Sequence, residues 1–275
     1  MGIGYAFADA IGHTAYLLGR TSRASIEANL RQAMGGDTDD ATIRRTSRKA
    51  FKSLSRNYYD LLRVPRLSPE RLAGKVKVVG LGNLEKAREH GRGAITATAH
   101  LGNVDLVPQA AVALSIPLTI LVEIFEPQQL WEHWMKIRAG LGLKFVPANA
   151  RGLKAAYKAL SRGEVVGIAC DRTVHGRGIE TTFMGAPAIM PVGAAELALR
   201  TGASLVPIFC LRDGYDRYKI CIEPAIAVPT HGDKGYTSED VRFLVDEMIG
   251  VMERYIRQYL EQWMLFQPLW ARNGT

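Results

Sequence analysis

From Lys75 onward the chain alternates short, β-branched apolar runs with segments of helical periodicity, and this alternation restricts the possible folds more than any other feature. In order it reads "KVKVV", "LEKAREHG", "AITATA", "VDLVPQAAVAL", "PLTILV", "PQQLWEHWMKIRAGLG", "KFV", "GLKAAYKALSRG" and "EVVGIA". Strands that are apolar throughout and return through helices belong in a sheet covered on both sides. The expected fold class is therefore α/β, with a central mixed, mostly parallel sheet and helices on both faces. Farther on, "GIETTFMG", "ASLVPIFCLR" and "RYKICIEP" read as strands, with "PVGAAELALRTG" as a helix between the first two and "SEDVRFLVDEMIGVMERYIRQYLEQW" as a long amphipathic helix. Residues 1–65 read as helical and form an N-terminal layer of the same domain. The two prolines and glycine of "VPRLSPERLAG" mark the passage into the core, residues 66–275, which ends in the amphipathic helix and an aromatic tail.

Charge is distributed unevenly over this plan. The formal net charge is +8, and residues 1–95 hold 17 Lys and Arg against 9 Asp and Glu, so the whole excess lies in the first third of the chain. Within it, "TIRRTSRKAFKSLSRNYYDLL" places Arg45, Arg48, Lys49, Lys52 and Arg56 on one helical stripe and Phe51, Leu54, Tyr58 and Leu61 on another. Such a stripe is either a solvated face or a docking site for anionic lipid headgroups, coenzyme A phosphates or an acidic carrier protein. No aromatic residues interleave it and no nucleic-acid-binding motif is present, so nucleic acid is not an expected partner. Cys170, Cys210 and Cys221 lie in apolar surroundings without metal-ligand spacing, which predicts neither a disulfide framework nor a metal site. The apolar stretch "YAFADAIGHTAYLLG" carries Asp9 and His13 and is too short to cross a bilayer, and no transmembrane helix is expected.

The stretch "AITATAHLGNVDLV" concentrates polar residues at the end of a buried strand. His100 follows the apolar run, Gly102 and Asn103 loosen the chain, and Asp105 stands at the start of the next helix. Two readings fit: a strand-to-helix turn with an N-cap, or chemistry gathered at a sheet edge. No GxSxG elbow, Walker A loop or GxGxxG follows any strand, so a covalent nucleophile has no motif behind it.

"HLGNVD" is an H-x4-D box and resembles that of the glycerolipid acyltransferases, in particular the branch of lipid A late acyltransferases and phosphatidylinositol mannoside acyltransferases. Further blocks fall in that family's order: "VEIFEPQQLWEHWMKIRAGLG", with Glu123 early and Arg138 late, and "DRTVHGRGIETTFMGAPAIMPVGAAELALRTGASLVP", led by Asp171 and Arg172. The closing "QWMLFQPLW" is similar to the tail of the mannoside acyltransferases. The chain departs from lipid A enzymes in lacking a strongly hydrophobic N-terminal segment and in having Asp105 where they carry glutamate.

The resemblance implies transfer of a fatty acyl chain from acyl-CoA or acyl-carrier protein to a hydroxyl of a membrane glycolipid, with no cofactor beyond the co-substrate. It implies an enzyme peripheral to the cytoplasmic face of the membrane and in contact with an anionic membrane surface. His100 would be the general base, oriented by Asp105, with Glu123 positioning the acceptor hydroxyl or acting as a second relay. Backbone N–H groups at Gly102 and Asn103, with Arg138, Asp171 and Arg172, would bind substrate or the oxyanion. Water in place of the acceptor would make the same site a thioesterase, and loss of chemistry would leave a lipid-binding homologue. Phe125, Leu130, Trp131 and Trp134 read as core or as acyl-chain lining. Trp263, Phe266 and Trp270 read as membrane-interface residues or as packing against the sheet.

Overall fold

The computed structural model describes residues 2–63, 67, 71, 72, 74–124, 126–140, 143–173, 178–230 and 235–270. Its helical layer comprises α1 (Gly2–Leu18), α2 (Arg20–Met34) and α3 (Asp40–Arg63). The core then runs β1 (Val76–Val79), α4 (Leu81–Arg88), β2 (Ala94–Thr98), α5 (Leu106–Ala113), β3 (Leu118–Val122), α6 (Gln128–Gly140), β4 (Lys144–Pro147), α7 (Ala150–Leu160) and β5 (Val165–Ala169). A hairpin follows, β6 (Ile179–Phe183) and β7 (Ala186–Met190), then α8 (Gly193–Thr201), β8 (Ser204–Arg212), β9 (Tyr218–Ile222) and α9 (Ser238–Gln258). The anticipated α/β architecture is present. The boundary expected at residues 65 and 66, and most of the proline-containing passage around it, lie outside the described residues.

Seven strands form one sheet in the order β1-β9-β8-β2-β5-β3-β4, in which β8 and β9 pair antiparallel and every other neighbouring pair is parallel. β2 lies fourth of the seven, so its alternate residues are buried on both sides. Ile95, Ala97 and Ala99 join the cluster covered by α7, α8 and α9, while Ala94 joins the cluster covered by α4 and α5. The hairpin was not anticipated as a pair: "GIETTFMG" gave β6, but β7, "APAIM", contains a proline and alternates only weakly.

The helical layer packs closely on itself and on the core. Gly12 of α1 lies against the backbone of α3 at Lys52, where even a methyl group would collide. Asp60 of α3 is buried between layer and sheet. Its carboxylate accepts from Tyr5, Tyr218, Arg212 and Asn103, so the buried charge is both paired and hydrogen-bonded. On the basic stripe, Arg56 is tied to Asp9 at 2.6 and 2.7 Å, and Arg48 lies over the Tyr16 ring. Arg45, Arg48 and Lys49 remain exposed. The tail packs inward: Trp263 is fully buried, Phe266 meets Phe51, and Trp270 stacks on Phe183. Among the described residues no helix is long and apolar enough to cross a membrane.

Candidate active site

Strand register assembles the site. β2 pairs with β5 in parallel, Thr98 opposite Ala169, so the residues two steps beyond each strand end, His100 and Asp171, come side by side. The His100 ring Nδ1 lies 2.6 Å from Asp171 Oδ1, and the His100 backbone N–H donates to Oδ2 at 2.9 Å. A third donor, the indole N–H of Trp263, reaches Oδ2 at 3.1 Å. Asp171 is fully buried, whereas the His100 side chain keeps 36% of its surface exposed. An ionised Asp171 accepts from Nδ1–H, which leaves the Nε2 lone pair of neutral imidazole for a substrate proton.

The electrostatics follow from this arrangement. Burial works against the imidazolium, but the charge and hydrogen bond of Asp171 outweigh it, and the His100 pKa stands above its ordinary value. Burial likewise works against the Asp171 carboxylate, yet the His100 charge and the donors from His100 and Trp263 hold its pKa below the usual range. Two further charged groups act on the ring: Arg172 opposes its protonation and Glu123 favours it. Glu123 directly follows β3, which pairs with β5, and its carboxylate forms an ion pair with Arg172. His100, Asp171, Arg172 and Glu123 thus collect at the carboxyl ends of three adjacent parallel strands, where open α/β sheets bind ligands.

Asp105 stands elsewhere. It occupies the position before α5 without capping it, and its carboxylate meets Arg138 Nη2 at 2.8 and 3.0 Å. The Arg138 guanidinium in turn covers the Phe145 ring at 4.7 Å. The hydrogen bond expected from His100 to Asp105 is therefore replaced by one to Asp171, which had been assigned to substrate binding. The cause is local geometry. Gly102 adopts φ +68°, the chain turns away from the end of β2, and five residues of separation carry Asp105 towards α6 instead of back over the imidazole.

The expected oxyanion donors are corrected as well. The Gly102 N–H donates to Gln262 O at 2.9 Å and the Asn103 N–H to Cys210 O at 2.7 Å, so neither is free for a substrate. The Gly102 carbonyl accepts from Asn57 Nδ2 at 2.7 Å, and a Cβ at this position would collide with the Cys210 carbonyl. Gly102 and Asn103 fix the loop. The charged donor left near His100 is Arg172, while Arg138 serves Asp105.

A narrow apolar crevice lies between the sheet and helices α4 and α5, with Leu84, Thr96, Val107, Ala110, Ile116 and Ile220 in its lining. Thr96 is the β2 residue in this lining, and His100 follows beyond the carboxyl end of the same strand. Residues expected to be core or acyl lining instead sit on α6, which has no buried residue among those described. Trp134 stacks on Tyr58, the Trp131 N–H donates to Glu123 O at 3.1 Å, and Leu130 is exposed. Phe125 lies outside the described residues. The three cysteines are buried, and burial pushes the Cys170 thiol up to about 12 and Cys210 further, so neither supplies a thiolate.

Comparison with known proteins places this geometry in context. The profile of the family described as bacterial lipid A biosynthesis acyltransferase matches residues 3–272. The phosphatidylinositol mannoside acyltransferase of Mycobacterium tuberculosis is 28% identical over 230 residues, covering 82% of this chain and 70% of that protein. The phosphatidylinositol mannoside acyltransferase of Mycolicibacterium smegmatis is 26% identical over 255 residues, covering 90% of this chain and 79% of its own length.

Proposed function

The chain belongs to the bacterial lipid A biosynthesis acyltransferase family, and from that premise we propose that it transfers a fatty acyl chain from acyl-CoA or acyl-carrier protein to a hydroxyl of a membrane glycolipid of the phosphatidylinositol mannoside class. The observation that carries the reading is the His100–Asp171 pair, a partly exposed imidazole backed by a buried carboxylate just beyond the carboxyl ends of the paired strands β2 and β5.

In this mechanism the acceptor hydroxyl gives its proton to His100 Nε2 as its oxygen attacks the thioester carbonyl carbon. Asp171 fixes the tautomer and stabilises the imidazolium, a role worth roughly 10²–10⁴-fold for the general base it supports. The tetrahedral oxyanion then collapses, the C–S bond breaks, and the thiolate leaves with the proton held on Nε2. Proton count is restored without a covalent enzyme intermediate or a cofactor. Arg172 supplies positive charge for the oxyanion, while Glu123 holds Arg172 and orients the acceptor hydroxyl. The acyl chain would be received by widening of the crevice between the sheet and helices α4 and α5, whose apolar walls suit it. Both thioester donors are cytoplasmic, which puts the enzyme peripherally on that face of the membrane, with the exposed Arg45, Arg48 and Lys49 towards anionic headgroups.

The test is incubation of the purified protein with labelled palmitoyl-CoA and phosphatidylinositol mannosides in detergent, with mass spectrometry of the lipids. Acylated mannoside from wild type and none from His100→Ala is the expected result. Free palmitate formed at the same rate with or without acceptor would replace the transferase reading by a thioesterase.

A further inference from the structure

Helix α1 presents an apolar face that nothing in the described chain covers. Its buried side, Tyr5, Ala8, Gly12 and Tyr16, packs on α3. At 100° per residue the outward side spans an arc of about 140° occupied by Ile3, Ala6, Phe7, Ala10, Ile11, Thr14, Leu17 and Leu18, in which Thr14 is the one polar residue. These side chains are out in solvent: Ile3 is 87% exposed, Phe7 67%, Ile11 49%, Leu17 53% and Leu18 77%. Among the described residues no other helix groups five large exposed apolar residues in this way; α9, for comparison, exposes Phe243 alone.

The charges beside this ridge say what covers it. The one acid of α1, Asp9, is consumed by Arg56. Arg23 and Arg48 both lie over Tyr16 near the C-terminal end of α1, at 5.2 and 5.1 Å from its ring, and Arg20, Arg45, Arg48 and Lys49 are exposed around that end of the layer. A parallel pairing of two copies through α1 would set these cations against their own images, and an antiparallel one would offer them no free acid on the other copy's α1, since Asp9 is already paired. An anionic bilayer matches both features, taking the ridge among its acyl chains and the cations at its phosphates.

We infer that α1 is an in-plane membrane anchor, with Ile3, Phe7, Ile11, Leu17 and Leu18 immersed below the headgroups of an anionic bilayer. This deepens the reading of the enzyme as a membrane glycolipid acyltransferase by naming the surface that meets the membrane. It also gives the anchor a mechanical route to the site, because α1 packs on α3 and α3 holds the His100 loop through Asn57 and Asp60.

The experiment uses the full chain and vesicles of phosphatidylcholine with and without phosphatidylglycerol. Replacing Ile3, Phe7 and Ile11 together by Gln changes only exposed side chains, so the melting temperature should hold while partitioning onto phosphatidylglycerol vesicles falls about a hundredfold. Phe7→Cys can be labelled selectively, since the three native thiols are buried. An environment-sensitive dye there should shift to the blue on these vesicles, whereas the same dye at Ile189→Cys, an exposed hairpin position, should not. Unchanged partitioning of the triple variant, or a dye at position 7 that stays aqueous, overturns the anchor. So does a wild-type dimer that the triple variant dissociates while still binding vesicles, since a second copy would then be the occupant. Transfer in detergent is scored separately: its absence with normal vesicle behaviour refutes the acyltransfer reading and leaves the anchor standing.

Discussion

Trp263 donates its indole N–H to Asp171 across 92 residues of sequence, so a fully buried ring from the tail steadies the carboxylate that orients His100. Removing only that donor tests its worth. A hydrogen bond to a charged group contributes about 1.5–3 kcal/mol, so Trp263→Phe should lower kcat about tenfold or more with little change in KM. Steady-state kinetics in detergent beside a thermal melt separates this effect from lost packing. An unchanged kcat would show that Asp171 is fixed without the indole.

Asp171 and Asp105 should behave differently on substitution. Asp171→Asn removes the charge that stabilises the imidazolium and is expected to cost at least about a hundredfold in kcat/KM. Asp105→Asn breaks the ion pair with Arg138, so Arg138→Gln should reproduce its effect and the double variant should be no worse than either single one. Additive losses would separate the two residues. A loss in Asp105→Asn equal to that in Asp171→Asn would return Asp105 to the imidazole.

The raised pKa of His100 fixes the direction of the pH dependence. Neutral imidazole is the base, so the rate should climb as pH rises through a value above the ordinary ~6.5, and Asp171→Asn should move that limb to lower pH because burial alone then acts on the ring. Stability runs the opposite way. A folded pKa above the unfolded one adds stability that is complete below ~6.5 and is lost as pH rises through the folded value. The stability difference between wild type and His100→Ala, measured by urea unfolding, should therefore shrink as pH rises from about 6.5 through the raised folded value. A difference that grows with pH would contradict the imidazolium–carboxylate pairing.

Gly102→Ala should be among the most disruptive single-methyl additions in the chain. It combines positive φ with a collision against the Cys210 carbonyl, for an expected loss of about 3 kcal/mol or more. Gly185 also has positive φ but faces open space, so Gly185→Ala isolates the backbone part and should cost about 1 kcal/mol. Equal melting temperatures for the two variants would remove the collision from the account.

Much of this architecture was legible in the residues. The strands and helices of the core announced themselves by periodicity, and His100 stood out as a polar residue at the end of an apolar run. Its partner did not stand out, because Asp105 is five residues away in sequence whereas Asp171 becomes adjacent only through the pairing of β2 with β5, a choice no local pattern encodes. The N–H groups of Gly102 and Asn103 looked available for the same reason. Their acceptors, Gln262 and Cys210, come from the tail and from β8. The likeness in ordered blocks did place Asp171 and Arg172 in the site, though with Asp171 on the substrate rather than the histidine.

The His100 loop is held from both extremities of the chain. Asn57 and Asp60 grip it from one side, while the Met264 N–H donates to the His100 carbonyl at 2.8 Å and Gln262 accepts from Gly102 on the other. During synthesis the sheet can begin to form long before residue 264 leaves the ribosome, but the loop has no complete set of supports until then. A growing chain would thus carry the histidine in an unfinished cradle. The cradle of His100 is therefore complete only once Gln262 and Met264 have been made, so the site is finished late although the strand that carries it is made early.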